Sequence, residues 1–282
     1  MSVDLSLLPP PNVVKPLDFE AELLRIKAMV LTDMPELAEV LTLESEPVTK
    51  LLQRWAMESV NMQARINDSA KACMLAYAVG EDLDQFAANN GVERLPGELD
   101  GRLRIRAQMA FEGLTVAGPR GSYVFHALSA DVRVLDAKPL TPVPGTVRVV
   151  VLGAEGDGAA PADLLQTVNA ALSADDIRPM NDTVECVSAQ VLPYTVAAQL
   201  RAYPGPSMAT VLQNARTSLD AYITSCRKLG YDVTHSGLFA ALHVQGVQKV
   251  VLTSPATDVV VLDHQVGHCA AVDLQLAEGS YV

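Results

Sequence analysis

The sequence predicts an α+β protein, with an N-terminal helical domain followed by two small α/β units that carry mixed or antiparallel sheets. Three observations lead there. Residues 118–182 switch hydrophobic period several times, from helical spacing to strand alternation and back, with turn residues at each switch. Residues 194–203 alternate cleanly, with Val196, Ala198, Leu200 and Ala202 on one side, ahead of a long amphipathic run at 209–229. Residues 47–80 keep 3-and-4 spacing for an unusual length.

Taken in order, residues 1–16 hold Pro9, Pro10, Pro11 and Pro16 beside leucines, which suits an extended arm. Residues 17–31 read as a helix starting at or near Asp18, and Pro35 opens a second short helix through Val40. Pro47 is placed as a first-turn proline of a helix running thirty-odd residues to Gly80, about 50 Å long at 1.5 Å per residue. That length exceeds the width of a small domain. It is either a core helix of a bundle or one covered by helices of another chain. A helix at 82–90 closes on Gly91, and Pro96 with Gly97 makes a joint. Residues 98–114 read as one further helix.

The central stretch gives a helix at 122–130, a strand at 132–135, a Pro/Gly turn at 142–145 and a valine-rich strand at 146–152. A helix follows at 161–172, with Leu164, Leu165, Val168, Ala171 and Leu172 on one stripe. Strands at 183–191 and 194–203 meet at Pro193, and Pro204 to Pro206 punctuates. Helices at 209–229 and 236–243 and strands at 247–252, 259–262 and 269–276 complete the chain. These joints divide it at residues 1–97, 98–192 and 193–282. SYVFHAL at 122–128 and SGLFAAL at 236–242 echo each other, which either a duplication or two similar helix-strand units would produce.

Composition excludes several classes. A net charge of -12, with RLRIR at 102–106 as the densest basic stretch, argues against wrapping nucleic acid, because phosphate neutralisation supplies most of such affinity. No window reaches the roughly 18 apolar residues of a membrane span, and the first residues lack the basic and apolar regions of a signal peptide. Cys73, Cys186, Cys226 and Cys269 lack CxxC spacing and read as buried free thiols of a reducing cytoplasm.

Candidate chemistry is thin. Gly153, Gly156 and Gly158 sit between strand and helix, yet GAEGDG lacks the spacing of a dinucleotide loop, and Glu155 and Asp157 would repel phosphate. Asp263, His264, His268 and Cys269 look like metal ligands, and a metal-dependent hydrolase centred there is the alternative function. Gly267 and the surrounding valines favour strand-turn-strand, however, which sets the histidines about 13 Å apart, too far to share one zinc. Arg102 and Arg106 share a helix face and Arg104 points away, so a solvated face is expected there. His126 is expected in a core or interface, and Asp175 and Asp176 as solvated turn residues. No serine lies in a GxSxG elbow, and scarce aromatics disfavour carbohydrate binding. No catalytic, cofactor-binding or metal-binding residue is assigned.

The ordered set Gly121-Ser122, Tyr123, His126-Ala127-Leu128, Ala130-Asp131, Pro144-Gly145, Val147, Val149 to Leu152, Arg178-Pro179, Asp182, Pro193-Tyr194, His243, Gly246-Val247, Val250 and Ser254-Pro255 resembles the baseplate J-like family of contractile phage tails and R-type tailocins. The resemblance implies a structural wedge subunit that is not an enzyme and carries no cofactor. It implies N-terminal helices bundled with a second wedge protein, α+β parts linking copies into a ring around the spike hub, and a small lysozyme-like wedge protein as partner. It further implies a place in a virion or tailocin baseplate, assembled in the bacterial cytoplasm, and a relay of the contraction trigger. A proline-rich arm, a long helix and sheets with open edges fit an assembly component on their own terms.

Overall fold

The computed structural model describes residues 4–9, 11–115, 118–203 and 208–277; Pro10 of the arm and the punctuation from Pro204 to Pro206 lie outside the described residues. The chain forms two compact units, Met1–Arg94 with Glu98–Gln108 and Leu95–Gly97 with Met109–Val282.

The first unit is helical. Helix α1 (Phe19–Asp33) begins where Asp18 accepts the Ala21 amide at 3.0 Å, an N-cap that satisfies one of the helix's orphan donors. Helix α2 (Pro47–Ala72) carries its proline in the first turn, and its Leu52 and Ala56 pack with Leu23, Ile26 and Leu41 into an aliphatic core. Two 3-10 turns, Pro35–Leu37 and Val40–Thr42, stand where one short helix was expected. The arm holds a 3-10 turn at Leu5–Leu7, and near its end Lys15 is gripped by the buried Asn67 of α2. The Asn67 side chain accepts the Lys15 amide at 3.1 Å and donates to its carbonyl at 2.8 Å, as a strand partner would.

Helix α2 has 26 residues, about 39 Å of length, and so falls short of the expected thirty-odd. The cause lies in Arg104, whose guanidinium takes the carbonyls of Leu75 at 2.7 Å and Ala78 at 2.5 Å. A helix continued to Gly80 would have spent the Leu75 carbonyl on its own Val79 amide. Helix α3 (Gly80–Asn89) follows, with Gly91 at φ +74 beyond it, a left-handed position that glycine occupies without strain. The expected helix over 98–114 is two, α4 (Asp100–Gln108) and α5 (Ala110–Gly113), broken at Met109 where the chain passes from the first unit into the second.

The second unit holds two three-stranded sheets. In the first, helix α6 (Arg120–Ala130) leads into β1 (Val134–Val143), and Pro144 with Gly145 at φ +82 turns the chain into antiparallel β2 (Thr146–Gly153). Proline followed by a left-handed glycine is the order of a type II turn. Helix α7 (Ala162–Leu172) then crosses to β3 (Thr183–Ser188), parallel to β2, a β-α-β unit. In the second sheet, β4 (Gln190–Ala202) is central, helices α8 (Met208–Cys226) and α9 (His235–Leu242) lead to antiparallel β5 (Val247–Ser254), and β6 (Gln265–Leu276) pairs parallel to β4.

Strand β2 is buried on both faces. Val149 and Val151 meet Tyr123, Val134, Leu164 and Val168, whereas Val150 and Leu152 meet Ala189 at the β3–β4 junction, Leu229 in the turn after α8 and Val266 of the other sheet. That two-sided burial is why its sequence reads as a run of valines rather than an alternation.

Several strand expectations are corrected. The strand expected at 132–135 extends over Val134–Val143. Pro193 does not separate two strands; it lies within β4, opposite His268, and the break falls at Ala189. Proline is tolerated there because β5 pairs only with Ala197 to Ala202, which leaves the other side of β4 open around Pro193. Residues 259–262 form a single bridge, Val233 with Val259, instead of a strand. Gly267 does not interrupt a strand but lies inside β6, where a Cβ would meet the Tyr194 ring at 3.3 Å. The two echoed helices, α6 and α9, each precede the antiparallel edge strand of a sheet. The central strand nevertheless comes second in one sheet and first in the other, so the connection order is not duplicated.

Candidate assembly surfaces

Several of the candidates for chemistry are engaged by the fold. Among the described residues, no group of three or more His, Cys, Asp or Glu could hold a metal ion. Asp263 pairs with Lys138 at 2.6 Å, and that lysine holds its carboxyl below the usual carboxylate range. The His264 carbonyl accepts the Gln190 amide at 2.9 Å, and His268 lies in β6. The Cys269 thiol donates to the Ala271 carbonyl at 3.4 Å, and burial raises its pKa. All four cysteines are free, with Cys226 buried and Cys186 and Cys269 half-buried, while Cys73 is exposed rather than buried as expected. Burial pushes the Cys186 thiol up to about 11, which leaves it protonated and inert at neutral pH.

The glycine loop between β2 and α7 is a closed turn. Gly156 and Gly158 have positive φ, the Gly153 amide donates to the Gly158 carbonyl at 2.9 Å, and Asp157 accepts the Ala159 amide at 3.0 Å. Its carbonyls face a cation of the same unit, since Arg227 donates to Gly156 at 2.8 Å. Glu155 and Asp157 keep this loop acidic, which disfavours a phosphate there.

The basic stretch at 102–106 is neither a ligand clamp nor the solvated face expected of it. Arg106 is buried and reaches Glu98 at 2.6 Å and the Glu93 carbonyl at 3.1 Å, Arg102 approaches the same carboxylate at 3.3 Å, and Arg104 holds the segment just after α2. Arg94 completes the set with Asp84 at 2.6 Å and Asp100 at 2.8 Å. These arginines tie α3 and α4 to each other and to the segments that precede them. Charge counting along a helix could not reveal this, because the partners lie on other elements.

His126 is half-buried against the edge of the Phe125 ring, and burial lowers its pKa below the ordinary 6.5. Asp175 and Asp176 are exposed, as expected. Tyr123 donates to Asp182 at 2.7 Å, and Pro179 closes on Gly118, so these motif residues meet at the start of α6.

A cavity of about 540 Å³ lies between the arm, α1 and α2, lined by Lys15, Leu17, Glu22, Ser59 and Gln63. Its polar groups engage each other: hydrogen bonds from Arg25 and Ser59 hold the Glu22 carboxyl down at about 2.

One open stretch is apolar. On α2, Leu51 is 69% exposed, Trp55 49%, Met62 64% and Ile66 50%. At 100° per residue these four fall within about 60° of one another around the helix, beside the face that Leu52 and Ala56 bury against α1. Together they form an apolar stripe along one side of a long helix, crossed only by the turn of Glu58 and Ser59. The periodicity of 47–80 carried this signal, though not which residues face the core and which face outward. Among the described residues no helix is long and apolar enough to cross a membrane.

Comparison with known proteins supplies the family. The Baseplate J-like N-terminal domain matches residues 44–96, the Baseplate J-like central domain residues 115–188 and the Baseplate J-like protein C-terminal domain residues 194–275. Baseplate protein J of Escherichia phage P2 is 42% identical over 287 residues, covering 95% of each chain. With three successive domain matches and one relative aligned almost end to end, the chain belongs to the baseplate J-like protein family.

Proposed function

We propose that this chain is a wedge subunit of a contractile phage tail or tailocin, which joins other wedge proteins and copies of itself into a ring around the hub. Membership of the family gives it a structural role in the baseplate. The finer reading assigns three parts, at residues 1–97, 98–192 and 193–282. In the first, α2 offers its apolar stripe to a helical bundle with a second wedge protein. In the other two, the sheets connect neighbouring copies, meet the lysozyme-like wedge protein and relay the contraction trigger. The protein works by contact and performs no reaction. Assembly in the bacterial cytoplasm and residence in the finished baseplate follow from the same reading. In a closed ring each modest contact is repeated, so no single interface has to be strong.

The observation that carries this is the stripe of Leu51, Trp55, Met62 and Ile66, exposed in the isolated chain and continuous with a buried face. The double substitution Met62→Glu with Ile66→Glu tests it, since both side chains are half or more exposed and the fold should tolerate the change. In a producer whose own copy is deleted, the wild-type chain should restore complete contractile particles under the electron microscope, and the folded double variant should not. Complete particles from the double variant would remove the stripe from assembly.

A further inference from the structure

We infer that the turn at residues 227–230 is a latch that fuses the two sheets into one cooperatively folding body, although they correspond to two separate family domains. The inference concerns the isolated chain and holds whatever the chain assembles with.

Two β1 side chains, Asp136 and Lys138, grip one residue of that turn. Asp136 accepts the Leu229 amide at 3.0 Å and the Ala137 amide at 2.8 Å. Lys138 donates to the Leu229 carbonyl at 3.4 Å and pairs with Asp263 at 2.6 Å. Leu229 is therefore held at both backbone groups, as a ladder partner would hold it. Its side chain enters the cluster of Val150, Leu152, Ala189 and Val266, which draws on both sheets.

The turn is also tied on its far sides. The Gly230 amide donates to the carbonyl of Gln265, the first residue of β6, at 3.0 Å, and Arg227 reaches the Gly156 carbonyl at 2.8 Å. Gly230 has φ +68, and a Cβ there would lie 2.6 Å from the Lys138 amine and 3.0 Å from Asp263, so the close approach requires glycine. The link along the chain is equally short: β3 ends at Ser188 and β4 begins at Gln190.

Neighbouring domains of one chain move independently unless their interface is substantial and apolar. This interface is apolar at its centre and places a carboxylate, an ammonium and a guanidinium on one turn around it. Parting the sheets would strip Leu229 of both partners and expose Val150, Leu152 and Val266 together, so the sheets open as one.

Pulsed hydrogen exchange of the full chain across a urea series, read by mass spectrometry, tests the latch. In the wild type, peptides from β2 and β4 should lose protection at one common urea concentration. In Asp136→Ala the two midpoints should separate, and amides at 227–230 should exchange about 10- to 100-fold faster, the effect of removing a buried hydrogen-bond acceptor. Lys138→Met keeps the apolar stem and should speed the same amides by about 3- to 10-fold. This variant carries the comparison should Asp136→Ala fail to fold. Two distinct midpoints in the wild type, or wild-type protection at 227–230 in both variants, would overturn the inference.

Discussion

Replacing Glu98 by Gln should unfold the N-terminal unit far more readily than any change on its surface. The Glu98 side chain is fully buried, with Arg106 at 2.6 Å, itself 5% exposed, and Arg102 at 3.3 Å. Glutamine keeps the shape and one acceptor but leaves the Arg106 guanidinium out of water without a counter-charge. Breaking a buried pair on one side costs about 3–5 kcal/mol. Since glutamine retains one hydrogen bond, the lower end, about 3 kcal/mol, is the expected loss, a change of about 150-fold in the unfolding constant. For a unit of this size that lowers the melting midpoint by about 12 °C or more. Urea unfolding followed by far-UV circular dichroism, with hydrogen exchange at α3 and α4 to localise the change, provides the measurement. Glu98→Leu combined with Arg106→Met should recover much of the loss, because a buried ion pair is replaced more cheaply than it is broken. A loss under about 0.5 kcal/mol for Glu98→Gln would refute the argument that this buried pair holds α4 against the segment before it.

Two further outcomes follow from local geometry. Gly118→Ala places a Cβ 2.7 Å from the Pro179 ring at φ +67, so a loss of about 2 kcal/mol or more is expected in the same urea assay. His126 has a folded pKa held below 6.5 by burial. The unfolded chain therefore binds the proton first, and the stability linked to His126 is fully present above about 6.5 and declines as the pH falls towards the lowered value. His126→Gln should remove that slope, which denaturation between pH 5 and 8 measures.

The sequence carried those features whose cause is local. Asp18, Pro47, Gly91 and Gly145 each act within a few residues of themselves, and each marks the boundary or turn that was read from it. The misreadings have remote causes. The early end of α2 depends on Arg104, some thirty positions away, and the continuity of β4 through Pro193 depends on where β5 stops pairing. A parallel partnership such as Gln190 with Gln265 leaves no local trace. The arginines at 102–106 were misjudged for the same reason, since burial of a charge is decided by the elements packed over it. The proposed assembly surface was half legible: spacing disclosed a long amphipathic helix, but only packing against α1 separates Leu52 and Ala56 from Leu51 and Trp55.

Hydroxyl-radical footprinting of the chain, free and within assembled baseplates, tests the central claim most directly, because oxidation of Leu51, Trp55, Met62 and Ile66 can be read one residue at a time. The account predicts ready oxidation of all four in the free chain and strong protection of all four after assembly. Equal oxidation in the two states would contradict it.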